Sequence, residues 1–577
     1  MRIENKDFEE IIHWNKQSSI TLGQLTDDVF VPSEVNFQVQ HRTESQIKMA
    51  FVDANESTLV MPRGTGKTEY IHAYRSFKCM TRMPGARGGF VGRSYAKLME
   101  NILPGLIKGW KALGWRRNEH YWVKEKPPKS LEIPAPYGES LDSSHSIFCY
   151  TGAAMSMISQ DRKGSANSMT LHWVQGDELK FLDRNSIDTE LRQANRGDTH
   201  LEFSHLPEFH SWLWTTDMPT SREGMWILEQ EKKMQPDRVQ LLLDIQVERY
   251  ELVEKLMLAD VSRRKGILDK IAQLDKYWDA IRAHTFWYHE PQGHDNIDGF
   301  GKKQILDLKR TLPTFIFRTS ILNKRPYLSE NAFYPDLKDR LHCYDATDEG
   351  YIDRNLDAIL DRDMKLDDCR KDADLDTNLP LHIALDYGSS FNALCVGQIQ
   401  KNRLLFVNAM YVKHPQRLAH LITNFVNYYR FHPTKTVIFH YDHTAFQGSN
   451  ALIDIKYADE VIGLLKAAHW NVIKNYIGHT PSPETRYEDW GKSFKGTDPS
   501  VYPVLFNRDN CEYLLTAMRL TSLKEGSKNY QKDKTDERNP NVDQLETTHF
   551  PDAADTLLLG TKFFKRKSKG LDFDVAA

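Results

Sequence analysis

Leu59-Val60-Met61-Pro62-Arg63-Gly64-Thr65-Gly66-Lys67-Thr68 decides how the rest of the chain is read. A short apolar run enters a glycine-containing turn, and Glu69-Tyr70-Ile71-His72-Ala73-Tyr74 then reads as the start of a helix. The pattern is strand, phosphate loop, helix. Such a loop aims successive backbone N–H groups at a phosphate, and the helix N-terminus adds a positive dipole end. Lys67 is placed to reach the β- and γ-phosphates of ATP, and the Thr68 hydroxyl to ligate Mg²⁺. The strict motif has glycine where this chain has Met61. Gly64 and Gly66, flanking Thr65, supply the flexibility instead, and Arg63 adds a cation inside the loop. The plain alternative is an ordinary strand-to-helix turn.

Bulk properties narrow the classes. The 577 residues allow two to four domains, and 40% hydrophobic with 27% charged content can bury cores and stay in solution. No apolar run approaches a membrane span. The N-terminal MRIENKDFEEIIHW is acidic and amphipathic, unlike a signal peptide. Cys79, Cys149, Cys343, Cys369, Cys395 and Cys511 form no CxxC pair, which argues for a reducing compartment and against zinc. The net charge of −3 gives no global nucleic-acid footprint, so DNA contact has to come from local basic patches.

Around the loop, Thr43 to Phe51 resembles a capped helix. Gln46 on it is either a reader of the adenine edge or a solvent-facing helix residue. Gly88 to Ser94 reads as a second strand and turn, and Tyr95 to Leu113 as a helix. Met169-Thr170-Leu171-His172-Trp173-Val174-Gln175-Gly176-Asp177-Glu178 is a strand ending in adjacent acids. In that pairing with a phosphate loop, Asp177 holds Mg²⁺ through water and Glu178 polarises the attacking water. His210 to Asp217 is a third strand, ending in the hydroxyl pair Thr215-Thr216, which in translocating ATPases senses the γ-phosphate. Residues 223 to 285 have long helical periodicity, expected as a hairpin, a lid or a solvated spacer. The acidic stretch Asp345 to Asp376 reads as a linker with some helix, giving an ATPase domain at 1–345, a linker at 346–376 and a second domain at 377–577.

The second half opens with strands ending at Asp386, then Asn392 to Ile399 and Arg403 to Met410, an antiparallel meander. Helix Gln416 to Phe431, a strand ending in Asp442, helix Asp459 to Ala468, strand Trp470 to Ile473 and a late helix from His549 follow. That order is the RNase H-like layout. Its chemistry brings acids from separate elements together, so that two Mg²⁺ ions clamp the attacking water and the leaving oxygen of a phosphodiester. Asp386, Asp442 and Asp552 are the expected carboxylates, with Asp555 one turn along; Mg²⁺ prefers carboxylates and water to His or Cys. The polar run 524–548, which opens with Lys524 to Lys534, either lines a DNA groove or is a solvated loop. The basic tail from Lys562 either touches phosphates or a partner, or only aids solubility.

A P-loop ATPase followed by an RNase H-like nuclease resembles the large terminase subunit of tailed bacteriophages. MPRGTGKT, WVQGDE, WLWTTD, ALDYG, FHYD and HFPDAADT carry the resemblance, over about residues 40 to 565. It implies a motor that uses ATP to pump double-stranded DNA through a portal into the procapsid, and a Mg²⁺-dependent (or Mn²⁺-dependent) endonuclease that cuts concatemers. It implies an in-loop arginine at Arg63, coupling through Thr215 and Thr216, and an arginine finger at Arg162. It further implies a small terminase partner, a homo-oligomeric ring, no membrane, and the host cytoplasm as location. A rival reading is a DNA-dependent P-loop ATPase or helicase without nuclease activity. Another is a structural virion protein with a decayed nucleotide fold.

Overall fold

The computed structural model describes residues 42–571, apart from 139–140, 162–165, 167–168, 294–300, 327–330, 363–366, 389, 451–452, 525–529 and 540–541. The chain divides into two compact units, Met1–Thr311 with Ile316–Pro326, and Leu312–Phe315 with Tyr327–Ala577. Both are α/β.

The first unit is built on β1 (Glu56–Val60), β2 (Arg87–Gly92), β3 (Tyr121–Val123), β4 (Ser146–Cys149), β5 (Ala154–Ser159), β6 (Trp173–Gly176), β7 (Ser211–Thr216) and β8 (Phe286–His289). Their order in the sheet is β3-β4-β5-β2-β6-β7-β1-β8. From β5 to β8 neighbours run parallel, and β3 and β4 close one edge antiparallel. Parallel strands are covered on both faces, so β2, β5, β6 and β7 are buried at every position. Gln175 of β6 is fully buried, its Nε2 donating to Met155 Sδ at 3.5 Å and its Oε1 lying 3.4 Å from His72 Nδ1. The register sets Leu59 beside Thr215, Val60 beside Thr216, and Gly176 beside Trp214. The phosphate loop, the acid pair and the hydroxyl pair therefore leave the sheet at one edge.

Helix α1 (Glu44–Val52) starts with the capping box expected at Thr43. After the loop, a π-helical turn over Lys67–His72 runs into α2 (Ala73–Arg82). Against it packs α3 (Leu103–Ala112), where only glycine fits at 109: an added Cβ would stand 2.0 Å from the Glu69 carbonyl oxygen. The charged stretch 223–285 forms the hairpin α4 (Pro236–Leu258) and α5 (Val261–Arg282). It is fastened to the sheet, not merely solvated. Arg282, fully buried, donates to Asp53 Oδ2 at 2.9 Å and to Glu208 Oε1 at 2.5 Å, and Trp278 Nε1 to the Phe51 carbonyl at 2.7 Å.

The second unit contains β9 (Cys343–Tyr344), β10 (Leu381–Asp386), β11 (Phe391–Gln400), β12 (Arg403–Lys413), β13 (Thr436–Tyr441), a small hairpin of β14 (Gly448–Asn450) and β15 (Ile453–Lys456), β16 (Asn471–Tyr476) and β17 (Val504–Asn507). The main sheet has the order β16-β13-β10-β11-β12-β17-β9. The β10–β12 meander is antiparallel, while β13 and β16 add in parallel beside β10. That is the RNase H-like core, extended at its far edge by β17 and β9. Helices α6 (Leu418–Tyr428) and α7 (Tyr457–Ala467) pack with one face of this sheet, and α10 (His549–Leu571) with β10, β11 and β13. Between them in sequence lie α8 (Pro483–Lys495) and α9 (Glu512–Leu520).

Two expectations change. The domain border does not fall at 345, because β9 pairs with β17 inside the second sheet. Nor is 346–376 a free linker. Asp348 and Asp368 cap helical turns at Tyr351 and Arg370, and Ile352 and Cys369 are buried. Two acids of what looks like a repelling run in sequence are here N-caps, where a carboxylate accepts a backbone N–H. The basic stretch from Lys562 to Leu571 continues α10 rather than forming a separate tail, and Lys562 pairs with Asp489 at 2.8 Å.

Candidate active sites

In the first unit the loop is shaped by two left-handed glycines, Gly64 at φ 76° and Gly66 at φ 71°. A Cβ on Gly66 would lie 2.3 Å from the Tyr70 ring and 2.9 Å from Gln46 Nε2. Thr65 is fully buried, its hydroxyl donating to the Pro62 carbonyl at 2.8 Å. Gln46 donates from Nε2 to the Thr65 carbonyl at 2.7 Å and accepts from Thr43 N at 3.2 Å. Both ends of its amide are committed and the side chain is buried, so Gln46 supports the loop from beneath and does not face solvent. Lys67 Nζ donates to the carbonyls of Met61 at 3.0 Å and Pro62 at 3.2 Å. The loop is tied to the rest of its unit by Arg63 N, which donates to the Ser320 carbonyl at 2.7 Å.

Asp177, buried at the end of β6, gathers hydroxyls. Thr68 donates to Oδ2 at 3.2 Å and Thr215 to Oδ1 at 2.6 Å. Having donated its proton, the Thr215 oxygen accepts from His72 Nε2 at 2.7 Å. Burial pushes the His72 pKa down to about 4, so the ring is neutral near pH 7. His72, absent from the sequence expectations, thus ties the post-loop helical turn to β7. The two threonines part company: Thr215 enters this chain of bonds, while the Thr216 hydroxyl accepts Lys180 N at 3.3 Å.

Glu178 sits in the left-handed region at φ 56°, an uncommon conformation for a non-glycine residue and one that clusters at functional sites. Its Oε2 is buried with no hydrogen-bond partner among the described residues. Burial and the neighbouring Asp217 carboxylate raise its pKa to about 6, against the pull of Lys180. Asp217, which the sequence marks only as the end of the third strand, pairs with Lys180 and, at 3.2 Å, with Arg63 Nε. Burial works against its ionisation, but Lys180, Lys67 and Arg63 hold it well below the usual carboxylate range. The in-loop arginine is therefore parked on an anion beside the acid pair. Arg162 lies outside the described residues.

In the second unit, β10 and β13 pair with Ala384 opposite His440, so Asp386 and Asp442 leave the same end of adjacent strands. Their side chains do different things. Asp386 Oδ2 lies 2.6 Å from His549 Nδ1, and His549 Nε2 lies 2.8 Å from Gln544 Oε1. Burial and the nearby Asp552 raise the Asp386 pKa, while the His549 bond opposes the rise. The His549 pKa is raised, the bond and charge of Asp386 outweighing burial. Asp442 accepts from Thr444 N at 2.9 Å, Thr444 Oγ1 at 2.5 Å and Thr480 Oγ1 at 2.6 Å, a local turn-capping arrangement.

On α10, Asp552 and Asp555 are one turn apart. Asp555 accepts from Tyr334, Arg486, Trp490 and Lys532 and is 1% exposed, so it is a buried tie. Asp552 has Lys532 on Oδ1 at 3.0 Å and Lys534 on Oδ2. These lysines hold its carboxyl well below the usual range despite burial. The structure thus brings Asp386 and Asp552 into electrostatic reach and adds Lys532, Lys534, Glu537 and His549, while Asp442 caps the turn that follows β13. Among the described residues no three His, Cys, Asp or Glu side chains form a ready-made metal group. The Asp386 and Asp552 oxygens are hard donors that suit Mg²⁺ or Mn²⁺ completed by water.

No family model and no curated protein matches the sequence. Solved structures do. This chain is similar to the large terminase of a thermophilic bacteriophage at 12% identity and TM-score 0.35, over 90% of this chain and 98% of that one. It is similar to the HK97 bacteriophage large terminase at 11% identity and TM-score 0.27, over 92% and 97%. The ATPase domain of a Thermus phage large terminase matches at 12% identity and TM-score 0.26, over 50% and 93%. No helix among the described residues is long and apolar enough to cross a membrane.

Proposed function

We propose that this chain is a large terminase subunit, coupling ATP hydrolysis in its first unit to movement of viral double-stranded DNA and cutting that DNA in its second. The observation that carries the reading is the pairing in one chain of two chemical edges. One joins Lys67, Thr68, Asp177, Glu178 and Thr215 on a parallel sheet; the other joins Asp386 and Asp552 on an RNase H-like sheet.

At the first edge, Lys67 leaves two neutral carbonyls for the β- and γ-phosphates, a stronger charge-assisted contact. Thr68 and Asp177 would hold Mg²⁺, which supplies charge neutralisation at the phosphates. Glu178 takes a proton from the attacking water; an acid of pKa about 6 is ionised at neutral pH yet basic enough to accept it. Thr215 and His72 link Asp177 to β7 and the post-loop turn, the route by which a change at the phosphates reaches the fold. Arg63 moves from Asp217 to the γ-phosphate, and Arg162 acts in a neighbouring subunit of a homo-oligomeric ring. At the second edge, Asp386 and Asp552 would hold one or more divalent ions, which activate a phosphodiester and its attacking water. His549 fixes the Asp386 carboxylate. The portal of a procapsid and a small terminase subunit are the proposed partners, in the host cytoplasm.

The test is nicking of supercoiled plasmid by the purified full-length protein, with Mn²⁺ or with EDTA. Cleavage that needs the metal and is lost in Asp386→Asn is expected. Cleavage unchanged by Asp386→Asn would contradict the assignment. A second reading, a DNA-dependent P-loop ATPase without nuclease activity, is favoured by the capping role of Asp442. It requires DNA-stimulated ATP hydrolysis and no metal-dependent cutting.

A further inference from the structure

Both oxygens of Asp552 carry an ammonium, and the two lysines differ. Lys532 is 3% exposed, lies between Asp552 at 3.0 Å and Asp555 at 2.8 Å, and faces the rings of Phe333 and Tyr334 at 5.1 and 5.5 Å. Arg486 reinforces the same side, 3.0 Å from Asp555 and 3.9 Å from Asp552. That cation is locked in. Lys534 is 49% exposed and comes from the polar segment just before α10. Its ammonium bonds Asp552 Oδ2, lies 3.3 Å from Glu537 Oε1, and feels the Asp386 charge. One half-exposed ammonium thus stands among three carboxylates, at the place where the two acids of the proposed nuclease centre converge.

We propose that Lys534 is a tethered cation that competes with the divalent ion for Asp552 and withdraws onto Glu537 when the ion binds. This rests on the nuclease reading of Asp386 and Asp552. The ammonium keeps the two acids from repelling each other, and it can leave because half of its surface is in water and a second carboxylate waits beside it. Lys532 has neither freedom, so it stays and fixes the Asp552 rotamer. A protein with this device binds its ion more weakly than the carboxylates alone would allow, and the ion and the lysine cannot share Oδ2. Glu537, supported by the Thr548 hydroxyl, is then part of the centre as the acceptor of the displaced charge.

The experiment is a Mn²⁺ titration of the full-length protein without nucleotide or DNA, following free Mn²⁺ by its paramagnetic resonance signal. Lys534→Met should tighten the class of site that Asp386→Asn removes, by about three- to fivefold, the scale of one partly exposed ion pair. Lys534→Arg keeps the charge and should bind no more tightly than wild type. Glu537→Gln removes the retreat and should weaken binding a few-fold. Thermal melting of each variant confirms that the fold is kept. A site lost in Asp386→Asn but of equal or weaker affinity in Lys534→Met would overturn the role of Lys534 alone. Mn²⁺ binding indifferent to Asp386→Asn would overturn the metal reading of the centre, and this proposal with it.

Discussion

Asp177 and Asp552 occupy comparable places, each a carboxylate at the chemical edge of a mixed α/β unit, but they are held in opposite ways. Hydroxyls of Thr68 and Thr215 hold Asp177, whereas ammoniums of Lys532 and Lys534 hold Asp552. Hydroxyls orient an anion without cancelling its charge, so Asp177 can accept a cation with nothing to displace. Ammoniums cancel the charge, so Asp552 has to release one partner first. The lysine of the first edge makes the same point in reverse. Lys67 rests on neutral carbonyls and leaves them readily for phosphate. The first edge is thus set for immediate ligand binding, and the second is held back by its own cations.

The largest expected effect comes from Lys67→Ala. It should lower ATP turnover by about 10³-fold, since it removes a fixed cation aimed at transition-state charge, while leaving plasmid cleavage unchanged. A loss of both activities in folded protein would break the separation of the edges.

Next is the anchoring of α5. Arg282→Met leaves Asp53 and Glu208 buried with one cation fewer, and should destabilise the first unit by about 3–5 kcal/mol. Denaturant unfolding measures it, and a change below about 1 kcal/mol would show that Arg75, Lys78 and Arg82 suffice.

Thr215→Val removes the hydroxyl between His72 and Asp177. ATP turnover should fall about 10- to 100-fold with nucleotide affinity nearly kept, on the scale of one lost buried hydrogen bond at a charged group. An equal fall in affinity would mean that Thr215 binds nucleotide directly.

The smallest effects are those of pH. Glu178 works ionised, so ATP turnover should fall below about pH 6 and level off above it, a limb that Glu178→Gln abolishes along with most activity. In the second unit, Asp372 and Asp374 are held by neutral donors: Tyr428 and Asn510 on one, Tyr344 and Asn507 on the other. Burial, with mutual repulsion for Asp372, raises their pKa to about 7 and about 6. The folded state then keeps protons that the unfolded chain releases, so the contribution of these two groups is greatest below about pH 4 and is lost as pH rises toward 7, against the opposite trend of acids held below their usual range such as Glu208 and Asp217. Asp372→Asn should remove its part of that loss in urea titrations; an unchanged pH dependence would place its origin elsewhere.

The fold class was legible because its signals are local. Alternating and continuous apolar runs marked β1, β6, β7 and β10 to β13, and the glycine-lysine-threonine turn marked the loop. Residues set by strand register, Asp177 with Thr215 and Asp386 beside Asp442, followed from order alone. What escaped notice depends on side chains that meet without periodicity. Glu537 and Lys534 precede Asp552 by 15 and 18 positions, in a run that reads as solvated loop, and nothing in its composition says which charge turns inward. The histidine directly before Phe550 was the one hint, a titratable residue opening an acidic helix. Asp442 stands at its strand end in the expected order, and Thr444, which caps onto it, follows two residues later. The 345 border failed because β9 is two residues long, too short for any pattern, and is held by pairing alone.

The most direct test of two separable chemical edges is a crossed assay on full-length protein. ATP hydrolysis and metal-dependent plasmid cleavage are measured side by side for wild type, Glu178→Gln and Asp386→Asn. The account predicts that Glu178→Gln loses hydrolysis and keeps cleavage, and that Asp386→Asn does the reverse. Loss of both activities from either folded variant would contradict it.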